Sequence, residues 1–98
     1  MSVKETYETQ VKSRMYELDS QIEELAAQID RQAGDAKAES QKQLAALKAQ
    51  RDQVNQRLKK VQDASGAAWE DLRKGADEAI NSLAASLHKV RGRFDKVA

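Results

Sequence analysis

His88 is the only imidazole in this 98-residue chain, and cysteine is absent. Disulfides, thiolate metal sites and cysteine nucleophiles are excluded together. No local spacing assembles a Ser–His–Asp set or a metal-ligand cluster around His88. On a helical wheel His88 falls on a polar face and reads as a solvated surface side chain. Carboxylates are plentiful, including Glu23 with Glu24, Asp71, and Asp77 with Glu78. A catalytic carboxylate needs burial or a like-charged neighbour in a cleft to shift its pKa. These carboxylates sit instead among lysines and arginines at positions expected to face solvent. Gly-rich phosphate loops, zinc spacings and EF-hand patterns are missing. The expectation is a non-enzymatic protein with no cofactor and no metal.

Cationic chemistry is the next candidate. Arg57, Lys59 and Lys60 form one short basic cluster, and Lys89, Arg91 and Arg93 form another. Neither has an aromatic neighbour on which a base could stack. Lys plus Arg number 17 against 16 Asp plus Glu, a net charge of +1. Nucleic acid is therefore not an expected partner. The near-neutral total hides a strong segregation. Residues 1–33 carry a balance of −3, residues 34–65 of +3 and residues 66–98 of +1. Opposed charge in the first two stretches favours pairing them with each other over pairing either with its own copy.

The elements that carry these side chains are legible from punctuation and period. Roughly five prolines would be average for this length, and none occurs. A backbone never interrupted by proline reads as almost entirely helical. Gly34 and Gly66 divide it into three stretches of about thirty residues, which follows from the 3.6-residue period on either side of each glycine. In the first stretch Val11, Met15, Leu18, Ile22, Leu25 and Ile29 step by four and three, a heptad seam. The second repeats the signal with Leu44, Leu47, Val54, Leu58 and Val61, interrupted by Arg51. Between Ile29 and Leu44 the seam thins to Ala33, Ala36 and Ser40 with an added step of four, a stutter. Gly34 is expected to take a left-handed position, with Asp35 capping the next helix.

The third stretch changes period. Val61, Leu72, Leu83 and Phe94 are each eleven apart, and Leu87 and Val90 fall on the same stripe. An eleven-residue repeat gives a nearly straight or slightly right-handed helix. Trp69 and Ile80 are expected to widen one edge of that stripe. Such an amphipathic repeat resembles those of exchangeable apolipoproteins, which implies a second use for the 67–97 helix. In that use Trp69, Ile80 and Phe94 would face lipid.

Two architectures follow, both all-α and both a single domain over residues 1–98. One is an antiparallel coiled-coil bundle of three helices. In it Leu18, Ile22, Leu25, Ile29, Leu44, Leu47, Val54, Leu58, Val61, Leu72, Leu83, Leu87, Val90 and Phe94 form the packing seam. The other keeps Gly34 inside one long helix, with a shorter antiparallel arm, and requires an oligomer. The first is favoured.

The run Ala64-Ser65-Gly66-Ala67-Ala68-Trp69-Glu70-Asp71-Leu72-Arg73-Lys74-Gly75, with the lysine-rich helix from Ala36 to Lys60 before it, resembles a family of small bacterial coiled-coil proteins. Its members are mostly uncharacterised, and some carry a stress-response label. The resemblance implies a helical bacterial protein without a cofactor. Together these readings give an interaction or structural protein, plausible in bacterial stress physiology. Its expected partners are protein helices, its own copies included, so a homo-oligomer is one expected form. Binding to a lipid or granule surface through the 67–97 helix is the less favoured alternative. No apolar run reaches the ~20 residues of a membrane span, no signal-peptide core stands near the N-terminus, and the expected compartment is the cytoplasm.

Overall fold

The computed structural model describes residues 2–97, with side chains described through Phe94. Three helices follow one another: α1 (Val3–Asp30), α2 (Gly34–Asp63) and α3 (Ala67–Val97). They pack as an antiparallel up-down-up bundle with a longest dimension of 52 Å. At 1.5 Å per residue each helix is about 45 Å long, so one helix length nearly accounts for the whole particle.

The start of α1 is set by Ser2, whose hydroxyl accepts from the Glu5 backbone N–H at 3.1 Å. Ser followed three residues later by Glu is a helix-start signature. Both glycine joints are true turns, with φ of +69° at Gly34 and +65° at Gly66. An L side chain there would cost roughly 1–2 kcal/mol, which is why glycine occupies both sites. The long-helix arrangement is thereby excluded. Asp35 does not cap α2 as expected. Extended Ala33 precedes the helix without a side-chain capping bond, and Asp35 sits in the first turn, where its charge still meets the positive helix end. The end of α2 is closed from a distance: Lys4 Nζ donates to the carbonyls of Gln62 at 2.8 Å and Ala64 at 2.7 Å. These bonds hold the beginning of α1 against the second turn.

The core is aliphatic and runs the length of the bundle. Ile22, Leu25, Ile29, Leu47, Val54, Ile80, Leu83 and Leu87 are almost completely buried, with Val11, Met15 and Leu18 extending the same cluster. Leu44, Leu58, Val90 and Phe94 are only half-buried and pack along its flank. Val61, Trp69 and Ala76 form a smaller cluster near Gly66. Arg51, which interrupts the seam, is half-buried and approaches Asp19 at 4.0 Å and Asp52 at 3.5 Å.

One expectation for α3 needs correction. Trp69 and Ile80, expected to widen one edge of the apolar stripe, are 8 % and 1 % exposed. Both point into the bundle. Leu72, expected in the seam, is 36 % exposed. The buried set on α3 is Trp69, Ala76, Ile80, Leu83 and Leu87, steps of seven, four, three and four. Against two partner helices α3 therefore packs as a heptad. At 100° per residue Leu72 then falls about 50° off the stripe's centre, onto its rim. Phe94 is half-buried against the main core.

Candidate interaction surfaces

The side chains with chemical potential do not converge. His88, Glu23, Glu24, Asp71 and Glu78 are exposed, as are Arg57, Lys59, Lys60, Lys89, Arg91 and Arg93. Among the described residues no group of three or more His, Cys, Asp or Glu side chains could hold a metal ion. No helix among them is long and apolar enough to cross a membrane.

One polar cluster is organised, and it joins α1 to the beginning of α3. The Tyr7 hydroxyl donates to Asp77 Oδ1 at 2.8 Å. Asp77 Oδ2 accepts from Arg73 Nη1 at 3.0 Å, and Arg73 Nη2 reaches Glu70 at 3.4 Å. The Arg73 guanidinium lies 5.8 Å from the ring centroids of both Tyr7 and Trp69. Those two rings meet edge to face, 6.0 Å apart at 85°. The i, i+4 spacing of Arg73 and Asp77 puts them on adjoining turns of α3, and Trp69 is one turn earlier. Tyr7 arrives from α1 because Lys4, one turn earlier, is held at the end of α2. Trp69 Nε1 is buried and has no hydrogen-bond partner. No motif or period in the sequence singles out Tyr7. The cluster depends on contacts roughly seventy residues apart, which no local period reports.

Burial pushes the Tyr7 hydroxyl well above its ordinary range, and the hydrogen bond to Asp77 and its negative charge push the same way, against the opposing effect of Arg73. A hydroxyl whose pKa is raised on folding contributes stability that is complete below its unfolded pKa of about 10 and is lost as pH climbs beyond it. In a Tyr16→Phe background, where Tyr7 is the only tyrosine, tyrosinate absorbance is therefore expected to appear only as the helices melt in alkali. Absorbance near 10 in a chain that retains its full circular dichroism would overturn this placement. Tyr7→Phe is expected to make the alkaline limit of stability higher.

Two further surfaces lie on opposite sides of the bundle. α2 and α3 share the most extensive contact of the three helix pairs. The Arg57 side chain of α2 lies against Gly75 of α3, where a Cβ would stand 3.2 Å from Arg57 Nη1. Outside this contact runs an open groove of about 390 Å³, lined by Gln53, Gln56, Arg57 and Lys60 of α2 and by Asp71, Leu72 and Gly75 of α3. It continues as a second hollow of about 230 Å³ past Gln50, Glu78 and Ser82. On the far side, the outer face of α1 presents Tyr16, Asp19, Ser20, Glu23, Glu24 and Ala27. Tyr16 there is 75 % exposed.

The opposed charges of the first two stretches form few direct bonds. Among the described residues Arg51–Asp19 is the one ion pair between α1 and α2. From Tyr16 to Asp30, α1 carries Glu17, Asp19, Glu23, Glu24 and Asp30 without a single cation. Among the described residues, Asp19 is the one acid of this stretch with an ion-pair partner.

No protein-family model, no curated protein and no solved structure matches the chain.

Proposed function

We propose that the chain is a non-enzymatic helical interaction module of the cytoplasm that engages protein partners through its polar outer surfaces, with bacterial stress physiology as its setting. The observation that carries this reading is the closure of the core. The apolar faces of the three helices cover one another, and the large apolar side chains left exposed among the described residues are Val3, Tyr16 and Leu72. A chain that captured a bare partner helix would offer a continuous apolar stripe. This one offers charged and amide-lined faces, with its candidate acid–base groups exposed and dispersed over them. Its setting rests on the resemblance carried by the Ala64–Gly75 run and the Ala36–Lys60 helix alone.

The lipid-surface alternative is favoured by one feature, the one-sided apolar face of α3, the most amphipathic of the three helices. In the closed bundle that face is occupied. Exposing it gives up the burial of Trp69, Ile80, Leu83 and Leu87, each contributing about 1.5–3 kcal/mol. A membrane would have to replace most of that.

Flotation with vesicles of anionic phospholipid separates the two readings. The interaction module stays in the protein fraction, and Trp69 remains protected from quenchers attached to the lipid chains. Co-flotation with quenching of Trp69 would overturn it. A blue shift of emission is a poor readout, because Trp69 is already buried in the free chain.

A further inference from the structure

We infer that the groove between α2 and α3 is a docking site for the outer face of α1 of a second copy of this chain. The inference deepens the proposed function by naming the partner, and it rests on that reading. The two surfaces complement each other in charge. The α2 wall of the groove carries Arg57 and Lys60, neither in an ion pair among the described residues. The α1 face carries Asp19, Glu23 and Glu24 around an exposed tyrosine. Within the bundle only Asp19 of these three acids has a cationic partner.

The surfaces also fit in shape and chemistry. Gly75 contributes no side chain to the groove, so the Arg57 guanidinium lies against its backbone, and Leu72 forms a half-exposed apolar rim beside it. Tyr16 is the most exposed aromatic of the chain and supplies the apolar body with a polar tip that interfaces favour. A docked α1 would become a third helix over the α2–α3 pair, completing outside the bundle the arrangement that its own α1 completes inside. The groove's α3 wall carries Asp71 and Glu78. These acids repel the α1 ridge from that wall and bias it toward Arg57 and Lys60.

The geometry dictates how copies would assemble. Ser20 and Ala27 stand roughly 180° round α1 from Leu18 and Ile29, which face the core, at 100° per residue. The ridge of each copy therefore points away from its own groove. The contact is head to tail, and each added copy presents a fresh ridge and a fresh groove. The patch is small and polar, which places it among weak, salt-sensitive contacts.

Sedimentation equilibrium on the intact chain tests this. Weight-average mass is expected to rise steadily with concentration at low salt and to fall toward the monomer as salt is added. Glu23→Gln/Glu24→Gln on the ridge, and Arg57→Gln/Lys60→Gln in the groove, should each weaken association by about ten-fold or more. All four positions are exposed, so circular dichroism should remain that of the parent. An equimolar mixture of the two variants retains one intact ridge and one intact groove, and it should form a one-to-one dimer that grows no further. A wild-type chain that stays monomeric up to about 1 mM, a closed symmetric dimer, or variants that associate like the parent would each overturn the inference. Those outcomes leave the interaction reading standing, since vesicle binding is what sinks that one.

Discussion

Leu83→Ala is expected to lower the stability of the bundle by about 3–5 kcal/mol, the upper part of the range for truncating a buried leucine. Leu83 is 0 % exposed in the middle of α3, among residues contributed by all three helices. Alanine there removes transfer free energy and leaves a cavity among three helices tied together by the turns at Gly34 and Gly66. A domain of this size has about 5–15 kcal/mol in total, so the melting temperature should fall by more than 10 °C, at roughly 4–8 °C per kcal/mol. Leu58→Ala is the internal comparison. Leu58 lies in the same heptad seam by sequence but is half-buried at the flank, and its loss should cost about 1–2 kcal/mol. Urea unfolding followed by circular dichroism measures both. Equal costs for the two leucines would contradict the observed placement of the core, and an unchanged midpoint for Leu83→Ala would contradict the bundle itself.

That contrast marks how far the sequence could be read. The three-helix architecture was legible because each cue is local: absent proline, two glycines at thirty-residue intervals, and four-three spacing from Val11 to Ile29. The decision between a turn and a continuous helix at Gly34 was not, since glycine is tolerated in both and only its φ of +69° separates them. On α3 the eleven-residue repeat of Leu72, Leu83 and Phe94 and the heptad through Trp69, Ile80 and Leu87 coexist in one sequence. An isolated helix has no reason to choose between them. The two partner helices choose, burying Trp69 and leaving Leu72 at the rim. Charge told less than its balances suggest. The −3 and +3 stretches do pack side by side, yet among the described residues that contact yields one ion pair at 4.0 Å. Exposed pairs contribute only about 0–1 kcal/mol, so apolar fit decides which helices approach closely. The surplus charge stays on the surfaces, where the groove and the α1 ridge carry it.

Trp69→Ala is the second substitution with a large expected effect, about 3–5 kcal/mol for removal of a buried indole. The cost is concentrated at the Gly66 end, where Trp69 packs with buried Val61 and Ala76 and is flanked by the partly buried Tyr7, Leu58 and Ala64. It removes the edge-to-face partner of Tyr7, an arrangement contributing roughly 0.5–1.5 kcal/mol beyond area burial. One of the two rings beneath the Arg73 guanidinium goes with it. Trp69→Phe should behave differently. Phenylalanine keeps a ring against Tyr7 and Arg73, and it deletes the buried Nε1–H that has no acceptor. An unsatisfied buried donor costs about 1–3 kcal/mol, so losing it offsets much of the smaller ring's lost burial. The net change for Trp69→Phe is therefore expected within about 1 kcal/mol of the parent, well short of the alanine variant. Thermal melts of the three proteins resolve these values. If phenylalanine proves as damaging as alanine, the indole N–H has a partner in solution, and the polar cluster around Tyr7, Arg73 and Asp77 must reach it. If phenylalanine is neutral, ring packing rather than hydrogen bonding holds the beginning of α3 to α1. Tyr7 then acts chiefly as a surface for Trp69 and Arg73, its bond to Asp77 serving to keep that buried hydroxyl satisfied.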